Sequence, residues 1–290
     1  MRSNARKTTL ITAAWFGLFL VACTQQQSSA PPPATQQGPE YASAETRDII
    51  EKMLTAHGGN ERWRNSPAVT FQASFEVNFG NDNWVPFLAQ TTVDTEHRRA
   101  YSTLPNADGS SGQIAYDGEK AWSAGNLQGI ARAPARFMAW RDFYLYNIPW
   151  MTQDAGVKLG EPGTGTLPMN DEECITVEMT FEDEIGDTPG DHYTLYIDKE
   201  TSRLRAAEYV MTYSSMMQDG AEASPPSYFV WEETADVDGL IIPAKYTVYW
   251  SDDGSVAVRN GEITDWAFDE PFDETRLVMP ADATIDQSTP

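Results

Sequence analysis

Apolar and polar residues alternate most regularly between Ala68 and Phe79. A period of two places successive side chains on opposite faces of a β-strand. One face of this strand is wholly apolar and the other wholly polar, which is typical of an antiparallel sheet with one face in water. The apolar face includes Val69, Phe71 and Phe75, and we predict that these residues point towards the core.

The stretch from Asp191 to Tyr213 shows a similar pattern and predicts a β-hairpin. The polar residues Asp198 to Ser202 form the predicted turn between its two arms. That turn opens with an aspartate, a residue that accepts hydrogen bonds from backbone N–H groups two residues further on. Because an isolated hairpin is only marginally stable, this one must belong to a larger antiparallel sheet.

Further alternating stretches, joined by short polar turns, follow along most of the chain. Together they predict about eleven strands and no internal repeat. The segment from Gly160 to Pro168 is rich in glycine and proline and predicts a loop. The predicted fold class is therefore mainly β, a single large antiparallel meander that is long enough to curl.

One helix is predicted before the sheet, from Ala44 to His57. Ser43 is a suitable N-cap residue, and the apolar residues that follow recur at helical spacing. Gly58 and Gly59 favour the end of the helix. His57 in the last turn is expected to face the C-terminal carbonyl groups. A role as a ligand or catalytic base is the alternative.

The pattern changes between Ala133 and Trp150, a stretch dense in large rings that we call the aromatic segment. The spacing of its rings predicts a helical part, and Pro149 is expected to end it. The segment is either a plug, meaning a core helix that fills one end of the curled sheet, or a lid over an apolar cavity. On the second interpretation, six residues are candidate ligand contacts: Phe71, Phe75, Phe137, Trp140, Phe143 and Tyr144.

The first 22 residues have the features of a secretion signal, with three basic residues before a short apolar run. The run ends in Leu20-Val21-Ala22-Cys23, which resembles a bacterial lipobox. That resemblance implies lipidation of Cys23 after cleavage, and Thr24 resembles an outer-membrane sorting signal. Residues 23–41 are rich in Gln, Ser and Pro and predict a flexible tether. The predicted domain is therefore residues 42–290.

The chain is strongly acidic, with 43 acidic and 20 basic residues and a formal net charge of −23. Removal of the signal peptide, which holds only basic charges, makes it more acidic still. This balance argues against nucleic acid and against electrostatic binding to an anionic membrane surface. Cys174 is the only cysteine besides Cys23, so no intramolecular disulfide is expected and Cys174 is predicted to be a buried thiol.

Motifs for phosphate binding, for zinc proteases and for nucleophilic hydrolases do not occur in the sequence. No cofactor and no metal ion are predicted. The acidic loop from Glu182 to Asp191 offers oxygen ligands for Ca²⁺, but chance clustering in so acidic a chain is the favoured explanation. A hydrolase that uses Glu182 and Asp191 as paired carboxylates is a further hypothesis.

Several short motifs occur in a recognisable order. They are Cys23 of the lipobox, His57-Gly58-Gly59 at the helix end, Tyr116-Asp117-Gly118 with Trp122, the hairpin Tyr196 to Leu204, and Asp238 to Pro243. In this order the chain resembles the LolA/LolB-like lipoprotein-carrier superfamily and related envelope lipoproteins. The resemblance implies an unclosed barrel of about eleven strands with helices in its mouth. It also implies an apolar cavity for acyl chains and no catalytic residues.

Together these observations predict a non-catalytic outer-membrane lipoprotein of the cell envelope that binds a lipid or another hydrophobic ligand. Its lipid anchor would hold it in the membrane, facing the periplasm or the cell surface. The alternative is an envelope scaffold whose ligand is another protein, which the acidic surface and the reach of the tether would suit.

Overall fold

The computed structural model describes residues 38–127, 133–183, 185–217, 220–250 and 254–288, and the predicted signal peptide and Cys23 lie outside them. The described residues form four helices and one sheet of fifteen strands, which is not closed into a barrel. The strands are β1 (Glu40–Tyr41), β2 (Val69–Asn78), β3 (Trp84–Asp94), β4 (Arg99–Pro105), β5 (Ser111–Tyr116), β6 (Ala121–Gly125), β7 (Val157–Leu159), β8 (Gly163–Thr166), β9 (Glu173–Phe181), β10 (His192–Asp198), β11 (Leu204–Val210), β12 (Ser227–Val237), β13 (Leu240–Trp250), β14 (Val256–Ala267) and β15 (Thr284–Ile285).

Most neighbours in the sheet are also neighbours in sequence. The order is β1-β7-β9-β10-β11-β12-β13-β14-β2-β3-β4-β5-β6-β15, and β8 pairs with β9 beside this path. All of these pairs are antiparallel except β1 with β7. The prediction of one large, mainly antiparallel meander is therefore confirmed.

The four shortest strands account for the difference between fifteen strands and the predicted eleven. Three of them, β1, β7 and β15, have only two or three residues. The fourth, β8, lies within the stretch from Gly160 to Pro168, so the prediction of a loop there was wrong. Its four residues, Gly163 to Thr166, carry little pattern of their own, and pairing with β9 holds them extended.

The alternation along β2 has the predicted structural result. Val69, Phe71 and Phe75 are almost completely buried, whereas Ser74 and Glu76 of the same strand are exposed. The predicted hairpin is also present as β10 and β11. The Asp198 carboxylate accepts hydrogen bonds from the backbone N–H groups of Glu200 and Thr201, and so closes the turn between them.

Helix α1 (Ala44–Ala56) begins as predicted, because the Ser43 hydroxyl accepts a hydrogen bond from the Thr46 N–H. His57 follows its last residue and is fully buried. The ring bonds to two strands rather than to the helix carbonyl groups: Nδ1 lies 2.7 Å from the Ile241 carbonyl oxygen, and the Leu204 N–H donates to Nε2. Because Nε2 accepts, Nδ1 must carry the proton. His57 therefore fastens the end of α1 to β11 and β13.

The aromatic segment forms two helices, α3 (Ala135–Tyr146) and α4 (Ile148–Met151), which follow the short helix α2 (Glu61–Arg64) in the chain. Pro149 was expected to end the helical region, but it lies inside α4. The break between the two helices lies at Asn147, directly before α4. A proline is tolerated in the first turn of a helix because an N–H group at that position would have no partner within the helix.

The sheet curls around α3. Rings of this helix contact strands that are far apart in the strand order: Tyr144 contacts Tyr193 of β10, and Tyr146 contacts Phe71 of β2 and Tyr246 of β13. The backbone of α3 also lies against β4, β5 and β6. One short helix can reach all of these strands only if the sheet bends around it, so α3 occupies the concave face of an open half-barrel.

Candidate ligand-binding site

The six predicted ligand contacts divide into two groups in the structure. Phe71, Phe75 and Phe143 are buried, at 1%, 3% and 1% exposure. Phe137, Trp140 and Tyr144 lie on α3 and are only half-buried. Phe143 points inward between them and stacks near Trp63 of α2, with ring centroids 5.9 Å apart. The structure therefore brings the six residues together around α3 and places three of them on its outer side.

The space between α3 and the sheet is filled by side chains in this conformation. A cavity of about 20 Å³ remains beneath the helix, lined mainly by Phe75, Ala89, Leu104, Ile114, Met138 and Phe143. This volume holds about one water molecule. An acyl chain therefore requires α3 to move, or the side chains around the cavity to repack. In this state α3 therefore acts as a plug, a core helix that fills the half-barrel.

A second depression, of about 450 Å³, lies outside the half-barrel between α1 and the turn that joins β10 to β11. It is lined by polar side chains such as Asp48, Glu51 and Lys52, and it is open to solvent. Apolar ligands are usually held in enclosed pockets with mostly hydrophobic walls. The region beneath α3 is therefore the better candidate site.

A buried ion pair joins α3 to the sheet. Both carboxylate oxygens of Asp142 accept hydrogen bonds from the Arg259 guanidinium of β14, at 2.7 and 2.8 Å. The same guanidinium donates to the Tyr146 hydroxyl at 3.1 Å, and Tyr146 donates in turn to Tyr246 at 3.0 Å. The guanidinium carbon of Arg259 lies 3.9 Å from the centre of the Phe75 ring. Polar and aromatic contacts thus position one arginine beneath the helix.

The charges within this group determine how it titrates. Burial raises the pKa of Asp142, but the charges of Arg141 and Arg259 outweigh that effect and hold the pKa well below its usual range. The pKa of Arg259 is raised well above its ordinary value despite burial, mainly by the charge of Asp142. The pair is therefore ionised at neutral pH and stays ionised in mild acid.

Neither Asp142 nor Arg259 is among the site residues predicted from the sequence, although each interrupts an apolar pattern. Arg259 and Ile263 lie an even number of positions apart on β14, so their side chains point to the same, core-facing side of the sheet. An apolar residue is expected at such a position. Asp142 interrupts the run of rings in α3. A charged residue at an inward position requires a partner of opposite charge. The identity of that partner, 117 residues away, could not be read from the pattern.

Two polar groups with raised pKa values lie near the outer side of α3. The Tyr144 hydroxyl is buried and has no hydrogen-bond partner among the described residues. Burial raises the pKa of Asp154, which follows α4, while the charges of Arg98 and Arg64 lower it. Burial likewise raises the pKa of Tyr144. These groups form a polar margin beside the apolar rings.

The carboxylates suggested for hydrolysis do not face each other across a pocket. Asp191 accepts hydrogen bonds from the Thr188 hydroxyl and from both the N–H and the hydroxyl of Thr212. It therefore holds the ends of its loop together, while Glu182 is exposed on the surface. Among the described residues, no three His, Cys, Asp or Glu side chains converge as metal ligands would.

Cys174 has the structural position expected of it. It is fully buried in β9, within a small cluster on the other face of the sheet that includes Leu167 and Tyr228. Burial raises the pKa of its thiol to about 11. The thiolate fraction at neutral pH is correspondingly small, and Cys174 is a structural residue.

Comparison with solved structures identifies the architecture. The crystal structure of a LolA superfamily protein from Nitrosomonas europaea matches 81% of this chain and 97% of its own, with a TM-score of 0.51 and 12% sequence identity. The chain has a LolA-like fold. The structure of a DUF1329 family protein from Desulfovibrio piger matches 80% of this chain and 95% of its own, with a TM-score of 0.49 and 12% identity. At these identities the similarity concerns the fold alone.

No family model matches the sequence, and no curated protein matches it either. The LolA-like fold therefore rests on the structure and agrees with the resemblance in the sequence motifs. Within the described residues, none of the helices has the length and apolar character needed to cross a membrane.

Proposed function

We propose that this protein is a non-catalytic lipoprotein of the outer membrane that binds a lipid or another hydrophobic ligand between α3 and the concave face of its half-barrel. The lipid on Cys23 would anchor it in the membrane, and the segment up to the domain would act as a tether. The LolA-like fold supports a carrier or binding role, and the lipobox supports the location.

The observation that carries this proposal is the way α3 lies in the half-barrel. Its inner face packs apolar rings such as Phe143 and Tyr146 against the sheet, and its polar side-chain contacts with β14 among the described residues run through the single guanidinium of Arg259, which binds Asp142 and Tyr146. An acyl chain could replace the apolar contacts of the helix at little cost, because burial of apolar surface is not directional. Displacement of α3 would then create the pocket.

The half-buried rings on the outer side of α3 support the same proposal. Trp140 contacts Phe143 with ring centroids 5.7 Å apart and remains partly in water. Apolar rings at the edge of a closed site are suited to cover a ligand after the helix moves. We therefore assign Phe71 and Phe75 of the sheet to the floor of the pocket, and Phe137, Trp140, Phe143 and Tyr144 of α3 to its cover.

Native mass spectrometry tests this proposal. The full chain with Cys23→Ser, which removes the predicted lipidation site, is unfolded, freed of lipid, refolded and mixed with an envelope lipid extract. We expect one lipid to be retained per chain. Hydrogen exchange on the same samples should show faster exchange for α3 than for β2 without lipid, and slower exchange of α3 after lipid is added.

Two results together would contradict the proposal. They are the absence of any retained lipid and protection of α3 equal to that of β2 in the free protein. Recovery of one envelope protein in place of lipid, after crosslinking in cells, would favour the scaffold hypothesis instead.

A further inference from the structure

Arg98 differs from the arginines that pair with a carboxylate among the described residues. Many of the others bind a carboxylate: Arg99 binds Asp94 and Glu274, Arg136 binds Asp187, Arg205 binds Glu172, and Arg259 binds Asp142. Within the described part of the chain, the Arg98 side chain forms no hydrogen bond and no ion pair, and its guanidinium lies over a ring. A guanidinium without an ion pair can bind an anionic ligand even though acids outnumber bases by 43 to 20 in the chain.

The turn between β3 and β4 places Arg98 beside the candidate site. The buried Asp94 carboxylate accepts hydrogen bonds from the His97 N–H and from Arg99, which fixes the residues on either side of Arg98. Arg98 itself has a φ of 53°, a conformation that non-glycine residues adopt infrequently. Its guanidinium carbon lies 4.9 Å from the centre of the Trp140 ring.

The charge of Arg98 acts on two neighbouring polar groups, one of which lacks a hydrogen-bond partner. Its charge lowers the pKa of Tyr144 and of Asp154, although burial raises both values more strongly. The Tyr144 hydroxyl is buried without a partner among the described residues. Arg64 adds a second positive charge close to Asp154. The charges of Arg98 and Arg64 thus both act on the Asp154 carboxyl, and the unpartnered Tyr144 hydroxyl lies in the same region of the structure.

We propose that Arg98 binds the anionic head group of an amphiphilic ligand whose apolar chain lies beneath α3. This inference rests on the proposed function and adds the chemical class of the ligand. A guanidinium binds carboxylate and phosphate groups through paired hydrogen bonds, and stacking on Trp140 leaves its N–H edges available. The Tyr144 hydroxyl is a further donor for the same head group.

The path of β4 gives the ligand a direction. This strand starts at Arg99, and its residues Ser102 and Leu104 line the small cavity beneath α3. Leu104 lies six residues after Arg98, which corresponds to about 20 Å of extended chain. A head group at Arg98 and an acyl chain laid along β4 would therefore place the tail in the apolar space beneath the helix.

A pair of ligands that differ in head-group charge tests this inference. Oleate and oleyl alcohol, both below their aggregation limits, compete with the uncharged fluorescent probe N-phenyl-1-naphthylamine for the full chain with Cys23→Ser. We expect Arg98→Gln to weaken oleate binding about tenfold, as for the loss of one charge-assisted hydrogen bond partly exposed to water. Binding of oleyl alcohol and of the probe should be unchanged.

Arg47→Gln is the matched control. Arg47 also lies over a ring, 5.1 Å from the centre of Tyr41, and also lacks a carboxylate partner within the described residues, but it belongs to α1. The variant Arg47→Gln should leave the binding of oleate and of oleyl alcohol unaffected. Arg98→Lys keeps the charge and should weaken oleate binding less than Arg98→Gln does. In the unmodified protein, high salt should weaken binding of oleate more than binding of oleyl alcohol.

Each contrary outcome has a distinct meaning. If Arg98→Gln weakens both ligands equally, or neither, Arg98 does not bind the head group and the inference fails while the proposed function stands. If butyrate competes as well as oleate does, the site binds small anions and the acyl chain has no part. If the unmodified protein binds neither oleyl alcohol nor the probe, the proposed function fails as well.

Discussion

Asp142 of α3 and Arg259 of β14 form a bidentate ion pair at 2.7 and 2.8 Å inside the half-barrel. Both charged groups are buried away from water, and their mutual attraction offsets the free-energy cost of that desolvation. The pair lies next to apolar rings, with Arg259 3.9 Å from the centre of Phe75. It therefore fixes where α3 rests on the sheet, which the surrounding hydrophobic contacts specify less sharply.

Asp142→Asn should destabilise the fold by about 3–5 kcal/mol, because it leaves the buried Arg259 charge without its counter-ion. Urea denaturation measures this loss. The double variant Asp142→Leu with Arg259→Met should recover most of it, since apolar residues of similar size often replace a buried ion pair without loss. A double variant as unstable as the single one would show that the polar network contributes beyond the pair.

His57 should make stability depend on pH between about 4 and 6.5. Burial lowers its pKa to about 4, against the effect of the Ile241 hydrogen bond, and the charge of Arg203 lowers it further. In this interval the unfolded chain binds a proton that the folded protein does not. The free energy of unfolding should therefore fall as the pH drops through it, by roughly 3 kcal/mol in total.

Urea denaturation of His57→Gln at several pH values provides the comparison for that expectation. The variant should be less stable at neutral pH, because the bonds to Ile241 and Leu204 are disturbed, but its stability should vary less with pH in the same interval. If the variant retains the full slope of the unmodified protein, groups other than His57 are responsible for it.

Trp140→Ala and Trp150→Ala should differ in their effect on stability. Trp150 is 1% exposed, stacks on Trp63 at 4.7 Å and donates to the Gly59 carbonyl, so its loss should cost about 3–5 kcal/mol. Trp140 is half-buried, and its loss should cost about 1–2 kcal/mol through ring and cation–π contacts. Thermal denaturation measures both. An equal loss of stability in both variants would show that the outer side of α3 belongs to the core.

Gly58 and Gly59 should respond differently to alanine, although both have positive φ, 95° and 82°. A Cβ on Gly58 would lie 2.0 Å from the Gly239 carbonyl oxygen, whereas a Cβ on Gly59 would meet nothing within 4 Å. Gly59→Ala should cost about 1–2 kcal/mol, the penalty for the left-handed conformation alone. Gly58→Ala should cost clearly more in thermal denaturation, because α1 must shift away from the β12–β13 turn.

Local patterns predicted the parts of the fold that local physics determines. The alternation in β2, the Ser43 cap and the Asp198 turn each depend on residues within a few positions of one another, and each is present. In the same turn Ser202 adopts a positive φ of 59°, a conformation that glycine takes more readily than other residues.

The parts that sequence reasoning missed depend on contacts between distant residues. Strand β8 has no apolar alternation and exists because β9 lies beside it. His57 was expected to face the carbonyl groups of its own helix, but it bonds to residues 147 and 184 positions away. Neither the filling of the space beneath α3 nor the Asp142–Arg259 pair follows from local spacing, because both are properties of the curled sheet.

The pairing of β15 with β6 has a kinetic consequence. Thr284 lies opposite Ser123, so about 160 residues must be synthesised after the β6 edge before its partner exists. At synthesis rates of about 5–20 residues per second, that edge would wait for roughly 10–30 seconds. Unpaired strand edges are templates for association with other chains. The β6 edge is therefore open to association with other chains until β15 pairs with it.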